Sequence, residues 1–438
     1  DNMGLNDAIT AERIHIGFFG VRNAGKSSVV NAVTGQDLAV VSDVAGTTTD
    51  PVRKTMELLP MGPVVIIDTP GIDDAGALGA KRVEKTRRIL ESVDVAVLVV
   101  DATRGLAPAD RELIGLFEDR MIPYVVAYNK ADLLEEGAVG ASSADNVQAA
   151  APVAQVAAND ARADAPDAVG ARADAASVAS ADNAISVSAA TGAGIHALKE
   201  LIGHLSIDPA ADRPLVSDLV APGSTVVLVV PVDSAAPKGR IILPQQQTLR
   251  DLLDAGMLAY VTRESELAAL LATLKEPPAL VVTDSQVFAS VSKTVPQSIP
   301  LTSFSILFAR YRGDLALEVR GARKLDDLHD GDKVLIAEGC THHRQCEDIG
   351  TVKMPRWLAE YTHRDLDLEF TAGRGFPDDL SPYALVVHCG ACMLNRREMA
   401  FRLRRAQEQD VAFVNYGVAI AKMKGILPRV LSPFDVQV

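Results

Sequence analysis

Gly20-Val21-Arg22-Asn23-Ala24-Gly25-Lys26-Ser27 decides the fold of the first part of this chain. The octet fits G-x-x-x-x-G-K-S, directly after the apolar run Ile14–Phe19 and before a helical pattern, which is the context a phosphate-binding loop requires. Its glycines let successive backbone N–H groups close around a phosphate, and the following helix N-terminus adds a favourable dipole. Lys26 supplies a point charge and Ser27 a hydroxyl for magnesium.

Downstream the matching parts follow in order. Asp68-Thr69-Pro70-Gly71 ends a second apolar run, Val64–Ile67, placing Asp68 to hold Mg2+ through water and the Gly71 N–H to meet a γ-phosphate. Between the two motifs, Gly46-Thr47-Thr48-Thr49-Asp50 offers a hydroxyl, Thr48 first and Thr47 second, that completes the magnesium shell only while the γ-phosphate is present. Asn129-Lys130-Ala131-Asp132 follows the strand pattern Tyr124–Tyr128, and the Asp132 carboxylate can accept from both N1–H and the 2-amino group of guanine, which selects GTP over ATP. Ser186-Val187-Ser188-Ala189-Ala190 closes the set, with backbone N–H groups near Ala189 within reach of the guanine O6. These motifs resemble those of Era- and TrmE-type GTPases. Where Ras-like proteins place a water-orienting Gln, this chain has Ile72, and Asn23 resembles the potassium-coordinating Asn of cation-activated relatives. The resemblance implies slow, K+-stimulated hydrolysis.

The chain has 438 residues, enough for two or three domains, and alternating Val/Ile runs and helical patterns give an α/β class throughout. A GTP-binding domain is expected over 1–208, interrupted at about 136–184 by an Ala/Asp-rich insertion without bulky anchors. Pro209 and Pro214 mark a boundary; a second α/β rhythm, with runs Thr225–Val230, Leu258–Val261 and Leu280–Thr283, fills 209–313. The remainder, 314–438, holds all four cysteines and five of the eight histidines. A net charge of -14 argues against a general nucleic-acid binder, and no run of 18 apolar residues suggests a membrane span, so the expectation is cytoplasmic.

Cys340-Thr341-His342 and His388-Cys389-Gly390-Ala391-Cys392 each follow an apolar run, Val334–Ala337 and Leu385–Val387, at the ends of expected strands where open α/β sheets place ligands. The spacing fits a metal site without choosing zinc or iron–sulfur. Trp357 is expected in the core; Arg396, Arg397, Arg402, Arg404 and Arg405 form a basic helix, expected either as a solvated face or as a dock for an acidic partner or an anionic cargo.

Taken whole, an Era-like GTPase, a cysteine-free middle block and C-x-H, 45 residues, then H-C-x-x-C is similar to the HydF family of iron-iron hydrogenase maturation GTPases and scaffolds. Val230-Pro231-Val232-Asp233-Ser234-Ala235-Ala236-Pro237-Lys238-Gly239-Arg240 and Leu243-Pro244-Gln245 extend the likeness. The resemblance implies a 4Fe-4S cluster on Cys340, Cys389 and Cys392, a homodimer made by the middle domain, and delivery of a two-iron precursor, assembled with radical-SAM maturases, to apo iron-iron hydrogenase. Three thiolates leave one iron exchangeable, with Glu347, His342, His388, Cys346 or water as the fourth ligand. The competing reading is a ribosome-assembly or tRNA-modification GTPase bearing a structural zinc site.

Overall fold

β1 (Ile14–Phe19) is almost wholly buried, as a strand covered on both faces must be when its sequence is a continuous apolar run. In this computed structural model, which describes residues 13–35, 52–71, 86, 88–134, 183–205, 213–232, 241–339 and 348–436, it lies inside a six-stranded sheet. The sheet order is β2-β3-β1-β4-β5-β6, with β2 (Val52–Leu58), β3 (Gly62–Asp68), β4 (Val95–Asp101), β5 (Tyr124–Asn129) and β6 (Ala184–Ser186). All pairings are parallel except that of β2 with β3. β2 carries no continuous apolar run because its charged, largely exposed Val52–Leu58 forms an edge, where one face and one ladder remain in water. The helix Lys26–Thr34 starts directly behind the glycine loop and packs Val29, Val30 and Val33 into the core.

The described residues of 14–205 form one compact unit and those of 213–436 a second. The second unit contains two four-stranded, all-parallel sheets. One runs β10-β9-β7-β8, from β7 (Thr225–Val229), β8 (Leu258–Thr262), β9 (Leu280–Thr283) and β10 (Leu301–Ser303). The other runs β12-β11-β13-β14, from β11 (Lys333–Glu338), β12 (Asp367–Ala372), β13 (Leu385–His388) and β14 (Ala412–Asn415). In each, the first strand in sequence lies between the second and third, so each sheet reverses direction beside its first strand. Such a switch point opens a crevice at the carboxyl ends of the first and third strands.

One apolar core, from Val227 and Val281 through Phe308 to Val334 and Val387, underlies both sheets of this unit. Their carboxyl ends approach one another: the Lys353 ammonium donates to Gln286 after β9, and the Ser305 hydroxyl after β10 donates to Asn415 at the end of β14. Trp357, expected in the core, is half-buried against it with Lys424 over its ring; the helix Met354–Thr362 needs only Met354 and Leu358 to cover the sheet. Arg402 departs further from expectation. It is 2% exposed, because the apolar face of Arg396–Glu408 packs on the sheet and takes this guanidinium with it. Among the described residues no helix is long and apolar enough to cross a membrane.

Candidate nucleotide site and cysteine site

The nucleotide loop is held open by backbone that only glycine adopts cheaply. Gly25 has φ of 87°, and a Cβ there would stand 2.3 Å from the Asn129 amide nitrogen. A Cβ on Gly71 would come within 2.9 Å of the Arg22 Cα, so the loop after β3 can abut the phosphate loop only through a glycine. Thr69 secures that approach by donating to the Phe18 carbonyl at 2.6 Å.

Inside the loop Lys26 is buried and donates to the carbonyls of Gly20, at 3.0 Å, and Val21, at 2.8 Å. Its charge is therefore fixed in the loop by the chain itself. The Ser27 hydroxyl donates to Asp68 Oδ2 at 2.6 Å, which brings together both groups the sequence assigned to magnesium. Burial raises the Asp68 pKa above the ordinary carboxylate value, against the opposing pull of Ser27, Lys26 and Lys54. Asn23 takes the left-handed conformation, φ 65°, within the loop.

Asn129 is 2% exposed and links three segments. Its Nδ2 donates to the Ala24 carbonyl at 3.0 Å and its Oδ1 accepts from the Ala189 N–H at 3.0 Å. The Ala189 amide is therefore committed to Asn129 in this structure. Ser188 is buried and its hydroxyl accepts from the Thr191 N–H at 3.1 Å, closing the same turn. Asp132 is exposed, as a group that reads a base needs to be. Lys130, in a left-handed turn, reaches Asp101 Oδ2 at 2.5 Å. Asp101 is a contributor that motif reading missed. Burial works to raise its pKa, but hydrogen bonds from Lys130 and Thr103 prevail and lower it. The available signal was a lone acid ending the apolar run of β4. Thr48 and Ile72 lie outside the described residues.

The second site stands at the switch point of the last sheet. β11 and β13 are neighbours, with Ala337 opposite His388, so the chain segments that lead to Cys340 and to Cys389 leave adjacent strand ends. Cys340, His342, Cys346 and Glu347 lie outside the described residues, and those described contain no group of three potential metal ligands. What they do contain suits a thiolate. Cys389 Sγ accepts from the Gly339 N–H at 3.1 Å and the Ala391 N–H at 3.4 Å, the hydrogen bonding that stabilises metal-bound sulfur. Without metal, burial raises the Cys389 pKa and pushes that of Cys392 up to about 11, the neighbouring thiol adding to the second.

His388, a candidate fourth ligand in the sequence, has other partners in this structure. Its side chain alternates with Cys389 to the opposite face of the sheet, stacked 5.5 Å from the Phe413 ring. Nδ1 lies 2.8 Å from the Cys389 carbonyl and Nε2 2.9 Å from Arg402 Nη1, so both ring nitrogens are engaged away from the thiols. Burial, with the adjacent Arg402, lowers its pKa to about 3 and keeps the ring neutral, donating from Nδ1 and accepting at Nε2. Arg402 in turn donates to the Gly373 carbonyl and to Glu398.

Comparison with known proteins follows this division. Residues 15–130 match the 50S ribosome-binding GTPase model, 215–313 the hydrogen maturase F dimerization domain and 316–433 the hydrogen maturase F tetramerization domain. GTPase Der of Kosmotoga olearia is 37% identical over 130 residues, 28% of this chain and 29% of that protein. The tRNA modification GTPase MnmE of Laribacter hongkongensis is 39% identical over 142 residues, 32% of this chain and 30% of that one. The match thus spans under a third of these curated relatives. Among solved structures, Era of Aquifex aeolicus bound to GDP and AlF4- aligns with a TM-score of 0.30 at 17% identity, over 60% of this chain and 98% of that one. With two maturase domains behind a GTPase domain, the chain belongs to the HydF-type GTPases.

Proposed function

We propose that this protein hydrolyses GTP and serves as a 4Fe-4S scaffold that accepts a two-iron precursor, made with radical-SAM maturases, and delivers it to apo iron-iron hydrogenase. The observation that carries the reading is the Cys389 thiol, receiving two backbone N–H groups at the end of β13 in a chain whose last two domains are of hydrogen maturase F type. Cys340, Cys389 and Cys392 would hold the cluster, which supplies an exchangeable iron position for the precursor. Glu347, His342, His388, Cys346 or water would occupy that position in the absence of the precursor.

In the nucleotide domain, the amides of Gly20 through Ser27 and the Lys26 ammonium bind the phosphates. Ser27, and Asp68 through water, would hold Mg2+, which supplies charge beside the phosphates; Thr48 would complete its shell, and the Gly71 N–H would meet the γ-phosphate. Asp132 reads guanine while Asn129 braces the turn carrying Ser188 and Ala189. Water attacks the γ-phosphate to give GDP and phosphate. With Ile72 in place of a water-orienting side chain, turnover is slow, and K+ held at Asn23 raises it by adding positive charge where charge develops. The nucleotide motifs and the cysteines fall in separate domains, so the GTP state acts on partner engagement and not on the cluster itself. The middle domain makes the homodimer, in the cytoplasm, and neither nucleic acid nor membrane is a partner.

The test is anaerobic reconstitution with iron and sulfide, with iron, sulfide and zinc measured per chain in the wild type and in Cys389→Ser. About four irons and four sulfides, lost in the variant, support the scaffold. One tightly held zinc with no stable iron transfers the reading to a zinc-bearing GTPase.

A further inference from the structure

The helix Phe304–Arg312, which closes the middle domain, lies along the cysteine loop of the last domain. Near its start, a Cβ on Gly390 would meet the Ser305 hydroxyl at 3.5 Å. At its end, Arg312 Nη1 donates to the Ala391 carbonyl at 3.3 Å and to the Leu394 carbonyl. Those carbonyls flank Cys392, and Ala391 sits at φ 55°, a conformation that a non-glycine residue keeps only when its surroundings hold it. Arg312 is 3% exposed and its guanidinium lies over the Phe308 ring at 5.3 Å, so its direction is fixed by its own helix.

We infer that Arg312 is a positioning residue for the thiol pair: it clamps the Cys389–Cys392 turn in the ligating shape and brings a fixed positive charge beside Cys392. The inference rests on the cysteine loop being the metal-binding turn, but its geometry concerns the turn alone. It also gives the middle domain a hold on the metal site. A displacement of Phe304–Arg312 would reach the cysteines through two carbonyls and no intervening loop.

Arg312→Met and Arg312→Lys in the full-length chain test this. Lysine keeps the charge but cannot span two carbonyls as a planar fork does. In metal-free protein, hydrogen exchange of the peptide covering 388–395 is expected to quicken by about tenfold or more in Arg312→Met and less in Arg312→Lys, with the GTPase-domain peptides unchanged. After reconstitution, Arg312→Met loses iron to a chelator faster than wild type, and its cluster has a more negative reduction potential, because the reduced state has lost a nearby cation. Arg312→Lys keeps a potential near wild type. A variant that only loosens the fold would speed exchange across the whole unit and leave the potential in place, which overturns the clamp. So does unchanged exchange at 388–395 in both variants. If exchange quickens there while wild-type protein holds no iron, the clamp stands and the scaffold reading fails.

Discussion

Asn129 Oδ1 accepts the Ala189 N–H at 3.0 Å, joining the end of β5 to the turn that follows β6, 60 residues later in sequence. The same side chain donates to Ala24 in the phosphate loop, so one amide sets the distance between the phosphate and base ends of the site. Asn129→Ala removes both bonds and leaves the Ala24 carbonyl without this donor. Affinity for GDP, followed with a fluorescent analogue, is expected to fall by about 30-fold or more, or roughly 2–3 kcal/mol for two buried hydrogen bonds. An unchanged affinity would mean that the two loops hold their spacing without it.

The Ser27–Asp68 pair predicts an acid limb. Burial raises the Asp68 pKa, and only the carboxylate serves magnesium, so GTP turnover falls as pH drops through that raised value. At limiting Mg2+ the limb is expected at higher pH than at saturating Mg2+, since the cation favours the ionised form. Asp68→Asn should lose about tenfold or more in turnover and flatten the limb. A limb that persists in the variant belongs to another group.

Glu318 is a second titration that stability will report. It is fully buried on the helix Leu315–Gly321, neither carboxyl oxygen has a hydrogen-bond partner among the described residues, and burial with the adjacent Asp314 pushes its pKa up to about 8. Because the folded value exceeds the unfolded 4.5, the folded state is favoured fully below pH 4.5, and that advantage drains away as pH rises towards 8. Glu318→Gln stays neutral throughout. It should melt higher than wild type at pH 8–9, by on the order of 1–4 kcal/mol, with the two curves converging near pH 4.5. A constant offset at all pH values would point to packing instead of charge.

How much of this could be read beforehand follows from distance along the chain. The phosphate loop, Asp68–Gly71 and Asn129–Asp132 are short runs whose backbone shape their own residues dictate, and the central strands β1, β3, β7, β9, β11 and β13 stand where apolar runs were, whereas the edge strands β2 and β12 are charged and largely exposed and left no such run. Arg312 and Arg402 reach the cysteine motif from 79 and 14 residues away, through partners that are backbone carbonyls and a ring nitrogen. No local pattern encodes either contact. A basic helix face and a histidine beside two cysteines carry the same letters whether they bind a ligand or hold one another, and only the alternation of β13 separates His388 from Cys389.

The middle sheet supplies the next test. β8 is an edge strand with Leu258 58% exposed, Tyr260 42% and Val261 48%, an apolar edge of the kind soluble chains cover. It lies in the stretch matching the hydrogen maturase F dimerization domain. A homodimer formed across β8 should dissociate when Tyr260→Lys and Val261→Lys place two charges there, with light scattering giving half the wild-type mass and circular dichroism unchanged. A variant that keeps its mass moves the dimer contact to another face.

His388 and Cys389, consecutive in sequence, should answer the same two measurements in opposite ways. Cys389→Ser removes a proposed ligand: iron per chain collapses while thermal stability of the metal-free protein changes little, because a hydroxyl can accept from Gly339 and Ala391 as the sulfur does. His388→Ala keeps the thiols but takes from Arg402 Nη1 its ring acceptor, leaving Nη2 on Gly373 and Glu398, and opens space against Phe413 and Phe376. Losing a buried partner and its packing is expected to cost about 2–4 kcal/mol, read as a lower melting temperature, with iron per chain retained at temperatures where the fold persists. Since its pKa lies near 3, His388 adds no titration to the iron content between pH 6 and 8. If instead His388→Ala sheds iron without losing stability, or iron binding follows a group titrating near pH 6.5, then His388 leaves Arg402 when metal arrives, and the ring that braces β13 in this structure is a ligand in waiting.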